Sequence, residues 1–475
     1  MRRTLKIAVS LAVLGLVISN ACWAQGPLET QPAAWLQPLK PESQPLQPVP
    51  PDEPHAALVG FDANIAAPAE ANKDEFFTLP ELQEEMKKLL WTKGEFRVVP
   101  YGFLWGTLAG ETQRSVTGDY TLYVLPPGPT YEPAFHVDAK STRIGVDVSG
   151  PRIACLNWAP SGGKLEFDFQ GRFADTENRG SVLLRHAYWE VKNDQFRLLA
   201  GQTWDVISPL MPGVLSYSVG WGGGNMGYRR AQFRAERYLA WSDTLLLTMQ
   251  GSLNVDLAND YAGNPLNVGD HSGWPMLEAR VATTIGPRGP GCRPIELGVS
   301  GHIGEVMYDF FNYSFAGPIP TPVLVLANVP ERTWSFNVDV RIPLGQRWGV
   351  QGEFFTGENL STFLGGILQG IDVRRAPLTQ AFISQNTIRS TGGWVDVWYD
   401  IRTDLHTHFG YSIDDPLDTD MNSGRVYNHF WFANLVYDVT PKFIVGLELT
   451  QWRTLWIGKP PADSTRLELV AKYGF

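Results

Sequence analysis

From Arg97 to Phe475 the chain alternates apolar and polar residues in run after run, and no segment of its 475 residues approaches eighteen uninterrupted apolar residues. In Leu165 to Gln170, Trp334 to Ile342 and Trp348 to Phe354 one face is wholly apolar or glycine and the other mostly polar. Sixteen segments of this kind can be counted: 97-107, 140-150, 163-173, 180-191, 195-204, 226-238, 243-255, 275-286, 293-307, 331-343, 346-357, 389-402, 404-413, 424-438, 442-453 and 463-475. Most reach the ten or so residues that a tilted membrane strand needs. Without a helical span, a chain can satisfy its backbone in lipid only as a closed barrel. The fold class expected is all-β, a transmembrane antiparallel β-barrel of about 16 strands.

The connections test this independently. A barrel that starts at one rim needs short turns after even strands and longer loops after odd ones. Links 192-194, 239-242, 344-345 and 439-441 are short, whereas 108-139, 205-225, 256-274, 308-330 and 358-388 are long. The odd link 174-179 is short and the even link 151-162 long, against the pattern. Tryptophan and tyrosine at strand ends, namely Trp189, Trp204, Trp334, Trp348, Trp398, Tyr399 and Trp452, suit the two girdles of a bilayer interface.

Ahead of the barrel, Arg2, Arg3 and Lys6 followed by apolar Ile7 to Ile18 and Ala21-Cys22-Trp23-Ala24 read as a secretory signal over 1-24. Residues 25-73, rich in proline, read as a disordered linker. Within 74-93, Thr78 caps a short helix whose Leu79, Leu82, Met86 and Leu89 form a two-heptad seam, either a coiled coil or a helix lying on its own domain. The barrel follows over 94-475. Signal removal takes the formal net charge from -10 to about -13, a poor balance for nucleic acid. Cys155 and Cys292 fall on turns on the order of 30 Å apart across such a barrel, so free thiols are expected unless the 151-162 turn folds over.

Four runs, Ser141 to Gly145, Leu184 to Tyr188, Leu199 to Trp204 and Gly227 to Gln232, together resemble the DcaP-like trimeric outer-membrane porins. A short periplasmic helix before the barrel is similar to that family as well. The likeness spans roughly 74-475 and is densest between 141 and 234. It implies a homotrimer in the bacterial outer membrane, with its N-terminal region periplasmic and a preference for small anionic solutes. A terminal aromatic such as Phe475 on an alternating strand looks like the signal read by the barrel assembly machinery.

Alternation assigns the lumen face. Arg143, Arg185, Arg197, Arg230 and Arg234 lie on neighbouring strands with Asp168 and Glu236, and Arg341 lies further round. Guanidinium forks bind carboxylates and phosphates, so these residues are either a ladder for anions or an ion-pair network closed on its own carboxylates. The link after the fifth strand, the third external loop, carries an apolar middle, Leu210 to Leu215, and a Gly220-Trp221-Gly222-Gly223-Gly224 run. It is expected either to fold inward with that middle facing the arginines, or to pack at a trimer contact.

No cofactor motif survives inspection. Gly222 to Gly227 has dinucleotide spacing, but a charged strand follows instead of a helix. Asp418 to Gly424 starts like a calcium loop, but His429 stands where the bidentate Glu belongs, so turn chemistry explains it. His406 and His408 share one face of a strand without a third ligand. No Gly-x-Ser-x-Gly or His-Glu-x-x-His motif is present, and the reading is a channel, not an enzyme. The rivals are a structural or adhesive barrel with a plugged lumen and a barrel hydrolase whose triad is dispersed.

Overall fold

The computed structural model describes residues 91-475 apart from 130-131, 172-178, 258-267, 269-271, 289-291 and 315-320. The signal, the linker and the helix expected over 79-90 lie outside the described residues. Sixteen antiparallel strands form the wall. They are β1 (Phe96–Glu111), β2 in two pieces (Ala134–Asp138 and Arg143–Ile153), β3 (Ala159–Asp168), β4 (Leu183–Lys192), β5 (Phe196–Trp204), β6 (Arg229–Ser242), β7 (Leu245–Asn254) and β8 (Met276–Ile285). The circuit continues with β9 (Ile295–Ser314), β10 (Thr321–Pro343), β11 (Trp348–Glu358), β12 (Arg389–Arg402), β13 (Leu405–Pro416), β14 (Arg425–Thr440), β15 (Phe443–Trp456) and β16 (Ala462–Gly474).

Each strand pairs with the next, and β16 returns to β1 in the register Phe103 with Gly474 through Glu111 with Arg466. That last ladder removes both sheet edges, so the backbone of the wall is hydrogen-bonded on both sides. Trp91–Lys93 forms a short strand that folds back on Phe96 to Val98.

Period two then sorts the side chains. Leu104, Leu108, Phe233, Val281, Leu297, Val299, Ile303, Phe336, Phe354, Val395, Phe409, Leu447 and Leu469 all point outward and are exposed. An apolar band running round the whole wall far exceeds what a soluble protein shows to water, so this surface meets lipid hydrocarbon. Trp189, Trp348 and Tyr399 are exposed at the short-turn end of the band, as a girdle requires. Trp204, Trp398 and Trp452 differ from the expectation. Trp398 and Trp452 are buried in the interior because their positions in register fall on the inner face, whereas Trp204, the last residue of β5, packs on Trp221 of the third loop.

The loop parity is cleaner than the sequence suggests. The long 151-162 link shrinks to 154-158, a single 3-10 turn (Ala154–Leu156) closed by Asn157 at φ 57°. The link expected over 308-330 is mostly ladder, with Tyr308 to Ser314 paired to Thr321 to Val329 above the wall. Its alternation is hidden by Val323-Leu324-Val325-Leu326, which is apolar on both faces. Cys155 and Cys292 are exposed and unbonded. Replacing Phe336 by Arg puts a guanidinium in the middle of the outer band and is expected to destabilise the lipid-folded barrel by about 2–4 kcal/mol in a denaturant titration in vesicles.

Candidate pore constriction

The inner faces of β2 to β6 carry the expected arginines, each beside a carboxylate. Arg185 donates through Nε to Glu166 Oε1 at 2.8 Å and through Nη1 to Asp168 Oδ2 at 2.7 Å. Arg143 reaches the same Glu166 at 3.5 Å. Arg197 lies 3.6 Å and Arg234 3.3 Å from Glu236, and Arg197 also donates to Glu190. Arg230 grips Asp205 with both arms of its fork, at 2.7 and 3.1 Å. All five guanidinium groups are buried, and pairing removes the several kcal/mol that an isolated buried charge would cost. Of the two readings left open by the sequence, this geometry is that of the ion-pair network. Arg341 does not join the cluster; it is half-buried over the Trp398 ring at 5.5 Å on the far wall.

Arg229, missing from the expected lining, and Lys472, which alternation places on the inner face, flank the same cluster. Arg229 is buried, with its guanidinium 4.7 Å from the Trp204 and Tyr228 rings and 5.9 Å from Trp221. Alternation could not find it, because Arg230 already claims the inner face and Arg229 sits where the chain enters β6 from a loop. Lys472 on β16 lies 4.2 Å from the Phe103 ring, which it shares with Arg143 at 4.9 Å.

The third loop, residues 205-228, folds into the barrel. Its outgoing limb runs round the inner wall, and successive backbone N–H groups are received by successive strands. Val206 donates to Glu278 on β8 at 2.6 Å and Leu210 to Glu353 on β11 at 2.7 Å. Gly213 donates to Asp396 on β12 at 2.9 Å and Leu215 to Glu448 on β15 at 2.7 Å. Gln351 and Asn434 donate in the other direction, to the Met211 and Gly213 carbonyls. A loop inside a barrel cannot leave its amides bare, and these carboxylates supply the missing acceptors.

The apolar middle therefore lies inside the barrel and turns its side chains onto the wall of β11 to β16 and β1. Leu215 sits in a notch over Gly446 among Phe103, Trp105, Val436 and Val470, a burial that contributes about 1.5–3 kcal/mol.

The return limb holds the glycine run. A Cβ on Gly224 would lie 2.5 Å from the Gly393 carbonyl, and one on Gly223 would lie 2.9 Å from Trp452. Close approach to the wall and to the sixth loop explains that composition. The sixth loop, 359-388, contributes Leu360, Phe363, Leu364 and Leu368, and a hairpin of the first loop contributes Tyr120, Leu122 and Val124. Together the three loops build two apolar clusters in the loop end of the lumen. Within 205-228 every residue is buried except Met211 and Tyr217.

The histidines are absorbed by the wall, His406 between Asp400 at 2.9 Å and Asp438 at 3.3 Å and His408 on Asp396 at 3.0 Å. In the 418-424 loop, Asp420 takes both arms of Arg389 at 2.7 and 2.8 Å, which is turn and tether chemistry.

This architecture has solved counterparts. The crystal structure of the outer-membrane channel DcaP of Acinetobacter baumannii aligns over 81% of this chain and 99% of its own, with TM-score 0.60 and 18% identity. The chain has the fold of the DcaP channel. The outer-membrane protein OmpT of Vibrio cholerae aligns over 81% of this chain and 99% of its own at TM-score 0.50 and 12% identity. No family model and no curated protein matches the sequence. The DcaP-like fold expected from the four sequence runs is thus the observed one.

Asp396 is a highly connected anchor, accepting from Gly213, Gln351 and His408. Asp396→Ala is expected to strand those donors at about 1–3 kcal/mol each and to expose the third loop to added protease while the barrel stays folded. Asp396→Asn, which keeps an acceptor, is expected to protect the loop largely as the parent does.

Proposed function

We propose that this protein is an outer-membrane porin, working as a homotrimer with its N-terminal region in the periplasm, through which small hydrophilic solutes diffuse passively and anions preferentially. Insertion by the barrel assembly machinery through the strand ending at Phe475 belongs to the same reading, and no catalytic step does. The observation that carries it is the distribution of charge round the constriction. On the β1 to β6 side, the buried guanidinium groups of Arg143, Arg185 and Arg229 gather round two carboxylates, Glu166 and Asp168. On the opposite side, the carboxylates Glu278, Glu353, Asp396 and Glu448 point at amides of the third loop, which lies between them and the lumen. A solute entering the gap meets this guanidinium-rich side first, and rings of one sign select by charge. In this reading the passage is arginine-lined and loop-constricted, with selectivity set by the guanidinium-rich side.

A second reading is favoured by one specific feature, the packing of the first, third and sixth loops into apolar clusters that fill the loop end of the lumen. It makes the protein a plugged barrel with a structural or adhesive role. Planar-bilayer recording in a salt gradient separates the two. The porin reading expects discrete conductance steps with a reversal potential on the anion side, and it expects Arg143→Gln with Lys472→Gln to lower the anion-to-cation permeability ratio by roughly twofold per charge removed. Silent membranes favour the plug, and a reversal potential on the cation side removes the anion preference.

A further inference from the structure

We infer that Tyr217 is the aperture residue of this pore: its side chain closes the gap between the tip of the third loop and the arginine wall and so limits the size of solute that passes. The inference rests on the porin reading and deepens it.

The tip is held from behind, where the Leu215 N–H is anchored on Glu448 and the Leu215 side chain fills the notch over Gly446. From that fixed base Tyr217 reaches across to β3 and β4. Its hydroxyl donates to Asp168 Oδ2 at 2.9 Å and lies 3.5 Å from Arg185 Nη1. Its ring lies 5.1 Å from Tyr120 in the first-loop hairpin and 6.2 Å, edge-on, from Trp221 in the return limb. One phenol thus touches the arginine wall, the first loop and the return limb of the third.

The other anchors of the loop are backbone amides clamped along the β8 to β15 wall, and they cannot yield without stripping the loop from its acceptors. Tyr217 is tied by a side-chain hydroxyl to a carboxylate that Arg185 already serves, so it can swing away and leave no buried donor or charge unpaired. It is also one of the two residues in 205-228 that are not buried, and the other, Met211, lies on the limb that hugs β11 and β12. Water and solute therefore meet the third loop at Tyr217, directly beside Arg185. An anion attracted to that guanidinium has to pass the phenol.

The test compares wild type, Tyr217→Ala and Tyr217→Phe as full-length barrels extracted from membranes, with heat-modifiable migration on gels showing that each is folded. Conductance is read in planar bilayers in potassium chloride, and the size limit by adding neutral polymers of graded radius. Tyr217→Ala is expected to raise the single-channel conductance by about twofold or more and to admit larger polymers, since a whole ring leaves the gap. Tyr217→Phe keeps the ring and loses the tie, so the polymer limit stays while the current flickers between two levels. Wild type that conducts together with folded variants that match it in conductance, noise and polymer limit overturns the role of Tyr217 and leaves the porin reading standing. Silence from all three chains overturns both. A silent wild type beside a conducting Tyr217→Ala upholds Tyr217 as the closing residue.

Discussion

The β1 to β16 ladder is the contact on which everything else in this molecule depends. Between Phe103 and Glu111 on one side and Arg466 and Gly474 on the other, it turns a sheet with two edges into a wall with none. Hydrocarbon offers no partner to a bare N–H or C=O, so an open edge at membrane depth would strand one group after another at several kcal/mol each. Once the wall is closed, its outer face is free to be as apolar as Leu469, Leu447 and Phe336 make it. Its inner face is then sealed from lipid, and it can carry charge.

The same accounting governs the interior. Charges on the inner face are buried as soon as loops fold in over them, and each must find a partner or remain near water. On β2 to β6 the partners are carboxylates of the same strands and, for Arg230, Asp205 at the start of the third loop, so arginines and acids alternate into a network. On β8 to β15 cations are fewer, and the acids take the backbone amides of the third loop instead. The loop and the acidic wall thereby satisfy each other: the amides that would be bare inside a barrel find acceptors, and the carboxylates find donors. This exchange gives the lumen two unlike sides, one retaining positive charge and one lined by peptide groups, and the gap between them is where Tyr217 stands.

The loops also show how glycine and apolar residues are used away from any membrane contact. Gly223 and Gly224 let the return limb lie against Trp452 and the Gly393 carbonyl, and Leu364, Leu368, Trp221 and Phe430 then pack into a small core inside the barrel. Such a core is what an ordinary soluble domain would build, here enclosed by a wall whose hydrophobic side faces the other way.

The wall could be read from the sequence because it rests on two local regularities. Side chains along a strand alternate strictly, and lipid outside with water or charge inside writes that alternation into Trp334 to Ile342 on β10 and into Leu467 and Leu469 on β16. Strand number, loop parity and the inner placement of Arg143, Arg185, Arg197, Arg230 and Arg234 follow from it. Alternation is blind where it is interrupted, which is why Arg229 at a strand entrance and the doubly apolar ladder at Val323 to Leu326 were not legible. Pairing is a different matter, since which acid each arginine meets depends on register between strands and on loops that return from far along the chain. Glu353 and Leu210 are separated by 143 residues, and Glu448 and Leu215 by 233. The course of the third loop, the side its apolar middle covers and the position of Tyr217 against Asp168 arise from contacts between segments that no local pattern links, and they come into being only when the barrel has closed round them.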